Sequence, residues 1–115
     1  MGFVRIEAIT AATKLNGLKR AIGKLGVTGM TVMQVMGCGV QKGTPEYEDD
    51  IHDEIELLPK QLIMLVIEED QLNKVLDVLK KELYTGHMGD GKIFVSNVTN
   101  IIRVRTGEED ADALR

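Results

Sequence analysis

Residues 85 to 92 read Thr-Gly-His-Met-Gly-Asp-Gly-Lys, and further along the chain stands Arg103-Val104-Arg105-Thr106-Gly107. Glycines at 86, 89 and 91 allow positive φ, so several backbone N–H groups can turn toward one point. Lys92 meets an anion as a point charge, whereas Arg103 and Arg105 can fork onto phosphate oxygens. Donors and cations of this kind suit a small polyanion such as a nucleotide. The same chain offers no paired nucleophile and base. His52 and His87 have no second ligand at coordinating spacing and read as loop histidines.

Composition narrows the field further. The chain has 115 residues, 43% hydrophobic but only 3% aromatic, which predicts a single domain, residues 1–115, with an aliphatic, methionine-filled core. A net charge of −4 argues against nucleic acid, which needs a basic face, and the scarcity of aromatics removes the stacking platforms single strands use. No apolar run approaches the ~20 residues of a membrane span, so no direct membrane insertion is expected. Met1 leads directly into strand-like sequence, and the single cysteine, Cys38, forms no internal disulfide; the expected location is cytoplasmic.

The elements that must position these residues come in two similar halves. Residues 3–10 alternate Val4, Ile6 and Ala8 against Arg5 and Glu7, a period-2 strand, and Leu15, Leu18, Ile22 and Leu25 then recur at helical spacing up to Gly26. A second strand is predicted from about Thr28 to Met36. The apolar run 61–68 predicts a third strand, Asp70 an N-cap, and Leu72, Val75, Leu76, Leu79 and Leu83 the stripe of a second helix. Lys92 to Val98 is the fourth strand and Ile101 to Val104 a short extra one. Strand–helix–strand written twice is an α+β, ferredoxin-like βαββαβ domain with both helices on one side of an antiparallel sheet.

Between the halves, residues 44–56 carry seven carboxylates and no lysine or arginine. A connection this long is functional or disordered far more often than it is a plain hairpin loop. Self-repulsion favours a solvated arm that orders against a ligand or partner.

Five segments in order resemble the PII signal-transduction proteins over nearly the whole chain. They are Gly29-Met30-Thr31-Val32, Gly37-Cys38-Gly39-Val40-Gln41-Lys42-Gly43, Leu58-Pro59-Lys60, Thr85 through Val95, and Arg103-Val104-Arg105-Thr106-Gly107-Glu108. The resemblance implies a homotrimer with a nucleotide site between neighbouring subunits and ATP or ADP as ligand. It assigns Thr31 and Val66 to the adenine and Gly39, Val40, Gly89, Asp90, Gly91 and Lys92 to the phosphates. Arg103, Val104 and Arg105 complete the same site wall. Gln41 would share Mg2+ with the ATP phosphates. Residues 38–57 correspond to the T-loop, which controls a membrane transporter or metabolic enzyme, and 106–115 form a C-terminal tail. The implied role is a sensor of energy state and not an enzyme; the alternative is a slow Mg-dependent ATP-hydrolysing sensor.

The chain departs from the family pattern at four places. Gln41, Lys42, Gly43 and Lys60 correspond to the 2-oxoglutarate site, but Ala11 and Val40 stand where relatives carry basic residues. Losing one charged hydrogen bond costs roughly 1.5–3 kcal/mol, so weak or absent 2-oxoglutarate binding is expected. Asp53 and Ile51 replace the tyrosine and serine that are modified elsewhere. Asp49 replaces a loop arginine, and an acidic arm favours a basic partner surface.

Overall fold

Two strand–helix–strand units fold onto one sheet. The computed structural model describes residues 2–11, 15–38, 57–86 and 90–115. In chain order the elements are β1 (Phe3–Thr10), α1 (Leu15–Lys24), β2 (Thr31–Gly37), β3 (Leu58–Glu68), α2 (Leu72–Leu83), β4 (Lys92–Val98) and a short α3 (Ala111–Leu114). The sheet runs β2-β3-β1-β4 with each neighbouring pair antiparallel, the ferredoxin-like arrangement expected from the repeated pattern.

The register explains which face is buried. Val4 stands opposite Ile67, Ile6 opposite Leu65 and Ala8 opposite Ile63, so the buried residues of both central strands share one face. Leu18 and Ile22 of α1 and Val75, Leu79 and Leu83 of α2 close over them as one aliphatic cluster. The helical stripe read from the sequence is thus the core stripe. Gly26, at φ 82°, ends α1 in the left-handed region, as its position predicted.

Three expectations need correction. No strand forms at 101–104: Ile102 makes one bridge to Glu109, the Arg103 N–H donates to the Glu108 carbonyl at 2.8 Å, and the Gly107 N–H donates to the Arg103 carbonyl at 2.7 Å. Gly107, at φ 76°, lets the chain reverse at once, so these residues pair with their own successors instead of joining the sheet. Asp70 caps nothing. It lies inside a 3-10 turn, Glu69–Gln71, that runs into α2 with no side-chain cap; its carboxylate suits the helix N-terminus only through the dipole. Finally, β2 begins at Thr31 and β3 at Leu58, because pairing is carried to the Gly37–Leu58 pair. Before Gln61 β3 has no β1 partner, and Pro59 is tolerated where only one side is paired.

The second sheet face carries apolar residues as well, around the Arg5–Glu7 ion pair of β1. Ile9, Met33, Leu62, Met64, Val66 and Phe94 lie on the side away from the helices by the same alternation. Met33 is 46% and Phe94 52% exposed. The run 61–68 is continuous in apolar residues because both its faces are apolar, although the chain's own helices cover one of them.

Candidate functional site

Thr31, the first residue of β2, pairs with Met64, and two residues further along β3 stands Val66. Both line a cleft of about 570 Å³ whose other walls are the Gly26–Met30 connection and the tail residues Ala111, Ala113, Leu114 and Arg115. The cleft exists because the chain from Gly26 to Met30 leaves α1 without joining the sheet, so the start of β2 stands clear of the helix. The two residues assigned to adenine are therefore brought together.

Arg103 holds the tail that forms one wall of this cleft. Its NH1 forms an ion pair with Glu108 Oε1 at 2.9 Å, and its NH2 donates to the carbonyls of Ala113, at 3.3 Å, and Arg115. The turn that carries it also presents Arg105 and Val104, both exposed. Thr106 Oγ1 donates to Glu108 Oε1 at 2.8 Å and steadies the reversal.

The Gly-rich turn is shaped from within. Asp90 accepts from the N–H groups of Thr85 and Gly86, both at 3.0 Å, and from the Thr85 hydroxyl. Its carboxylate thus holds the turn itself together. Asp90→Ala should speed amide exchange at Thr85 and Gly86 about fivefold, the worth of one lost hydrogen bond, and unchanged exchange would remove this role. Gly91, at φ 90°, is pressed against β1: a Cβ there would stand 1.7 Å from the Ile9 carbonyl oxygen. This contact seats Lys92 opposite Ile9.

The base of the arm lies at that same end of the sheet. Gly37 pairs with Leu58, and the Lys60 side chain runs over Gly37, its Cγ 3.3 Å from where a Cβ would be. Cys38 is exposed beside it. Gly39, Val40, Gln41, Lys42, Gly43 and Gly89 lie outside the described residues.

One wall carrying both the Lys92 turn and Arg103 was expected, and a single chain does not build it. Lys92 faces Ile9 at one end of β1, whereas the tail held by Arg103 sits at the other, where Ala111 shares a hollow with Gly2, Phe3 and Glu68. Six residues of strand separate the ends, about 20 Å. Across the sheet, β2 and β4 are opposite edges. Sequence reasoning also missed the tail as a wall of the cleft, together with Thr28, whose hydroxyl donates to the Leu114 carbonyl at 3.1 Å, and Gln71, whose Nε2 donates to the Leu25 carbonyl at 3.2 Å. The available signal was the pair of apolar residues, Ala113 and Leu114, after the acidic run 108–110.

Residues 3–108 match the family described as Nitrogen regulatory protein P-II. The chain belongs to the P-II family. It is 41% identical to the Nitrogen regulatory protein GlnK of Escherichia coli K12 over 109 residues, 95% of this chain and 97% of that protein. It is also 41% identical to the Nitrogen regulatory protein P-II 1 of the same strain over 110 residues, 96% and 98% of the two chains. Among solved structures, the GlnK–ATP complex of B. subtilis superposes with a TM-score of 0.82 at 35% identity, covering 98% of each chain. Arabidopsis thaliana PII bound to citrate gives 0.78 at 33% identity, covering 97% of this chain and 92% of that one. These P-II relatives are named as regulatory proteins, and this chain is a regulatory protein of the same family, not an enzyme. Among the described residues no helix is long and apolar enough to cross a membrane.

Proposed function

We propose that this P-II protein is a cytoplasmic homotrimeric sensor that binds ATP and ADP between subunits and reports the difference through its acidic arm. The observation that carries the reading is the splitting of the site. Thr31, Val66 and Arg103 gather at one end of the sheet, and Gly91, Lys92 and the arm's base at the other. A second copy must then supply the missing half, and the uncovered apolar sheet face gives the copies a reason to associate. The ATP held by the B. subtilis relative supports the ligand class.

The adenine lies against Thr31 and Val66, and the phosphates meet the N–H groups around Gly89 and Gly91 with Lys92, Arg103 and Arg105. Val104 presents its backbone on the same turn. Gly39 and Val40 approach the phosphates from the arm. Gln41 holds Mg2+ with ATP, which makes the arm's base different in charge from the ADP state. A ligand shifts the arm only by its differential contact with each conformation, and Gln41 is the residue through which ATP–Mg and ADP differ there. The arm's seven carboxylates fit a basic surface on a membrane transporter or a metabolic enzyme. Gln41, Lys42, Gly43 and Lys60 bind 2-oxoglutarate weakly or not at all, because Ala11 and Val40 add no positive charge.

Light scattering joined to calorimetry tests this reading. The expected result is a trimer at micromolar concentration that takes up one ATP or ADP per chain, with no micromolar 2-oxoglutarate affinity in ATP–Mg. A monomer that still binds nucleotide tightly would overturn the shared site.

A further inference from the structure

In the conformation observed the Arg103 guanidinium is engaged by its own chain. A guanidinium forks onto two oxygens either end-on, with NH1 and NH2, or side-on, with Nε and NH2, and both forks need NH2. Here NH2 donates to the Ala113 and Arg115 carbonyls, while NH1 holds Glu108. The segment that claims it also lines the cleft beside Thr31 and Val66.

That segment is held on purpose-built contacts. The Thr28 hydroxyl donates to the Leu114 carbonyl from the opposite wall of the cleft at 3.1 Å. At its root Asp110 takes φ 54° and ψ −123°, a conformation unfavourable for a side-chain-bearing residue. Its carboxylate accepts from Asn100 at 3.2 Å and from the Ile101 N–H at 3.3 Å, and its own N–H donates to the Ile101 carbonyl at 2.8 Å. A strained hinge fixed on three sides, followed by four helical residues with none fully buried, is a segment that can leave without disturbing the core.

We propose that residues 111–115 are a strap that occupies the nucleotide cleft from within the chain and must release Arg103 before a phosphate is bound. The proposal rests on the nucleotide reading and adds its regulation: nucleotide competes with the protein's own tail. A strap closed nine-tenths of the time lowers apparent affinity about tenfold, since only the open fraction binds.

The test compares the full chain with one ending at Asp110, each titrated with ATP and with ADP in the calorimeter. The truncated chain should bind both about tenfold more tightly. Hydrogen exchange on the full chain gives a second readout. The Ala113 and Leu114 N–H groups donate to the Asp110 carbonyl at 2.9 and 3.3 Å, and saturating ATP should speed their exchange as the strap leaves. Equal or weaker binding by the truncated chain, or slower exchange at these amides with ATP, would overturn the strap and make the tail a passive wall or a closing lid. Failure of both chains to bind ATP at millimolar concentration would overturn the nucleotide reading itself, and the strap with it.

Discussion

Arg103→Ala is expected to weaken ATP and ADP by about ten- to a hundredfold in calorimetric titration, the cost of removing a charged hydrogen bond to phosphate. The substitution should leave stability nearly unchanged. The Arg103–Glu108 pair is partly exposed, and pairs of this kind contribute about 1 kcal/mol or less. Arg103 also anchors the tail, so the two effects oppose each other. Without Arg103 the tail loses its main anchor, and ending the chain at Asp110 should then gain far less than it does in the parent protein. This is a double-mutant cycle with strong coupling between two elements in contact. Additive effects would place Arg103 and the tail on separate functions, and an unchanged affinity in Arg103→Ala would remove the residue from the site.

Gly91→Ala is expected to destabilise the fold by at least about 3 kcal/mol, read as a lower urea midpoint. Two costs coincide there. The backbone is at φ 90°, where a Cβ is disfavoured, and the added carbon would lie 1.7 Å from the Ile9 oxygen, 2.8 Å from its carbonyl carbon and 3.1 Å from the Thr10 Cα. All three are backbone atoms of a central strand, so relief requires parting β4 from β1. Gly23→Ala supplies the contrast. Gly23 lies in α1 with nothing within 4 Å of a new Cβ, and the change should stabilise by about 0.5–1 kcal/mol. Equal effects at the two positions would show that β4 does not need this close approach. Because Gly91 seats Lys92, any Gly91→Ala protein that folds should also bind nucleotide weakly.

The residues of the proposed site could be named from residue type alone. Glycines at 86, 89 and 91 beside Lys92, and the paired Arg103 and Arg105, are what led to the proposal of a phosphate site. The part the Asp90 carboxylate plays was not legible, because a carboxylate in a glycine-rich turn looks the same in sequence whether it faces solvent or its own backbone; its bonds to Thr85 and Gly86 are a product of the turn's closure. Asp70 was misread as a cap for a similar reason, since the 3-10 turn around it depends on how β3 delivers the chain to α2.

What the sequence by itself determined is everything that local periodicity can carry. Alternation in 3–10, the helical stripe from Leu72 to Leu83, the stop at Gly26 and the strand 92–98 all appear where the pattern places them. Each follows from the 2.0 and 3.6 residue periods and from backbone freedom at glycine, which act over a few neighbours. What only the tertiary structure decided is which of these residues meet. The sheet order sends Lys92 and Arg103 to opposite ends of one chain, and the tail folds back 12 residues to take Arg103's donors. Both outcomes depend on contacts between elements that no local pattern encodes: the antiparallel register sets where each strand end falls, and a guanidinium takes whichever carbonyls that register brings within reach.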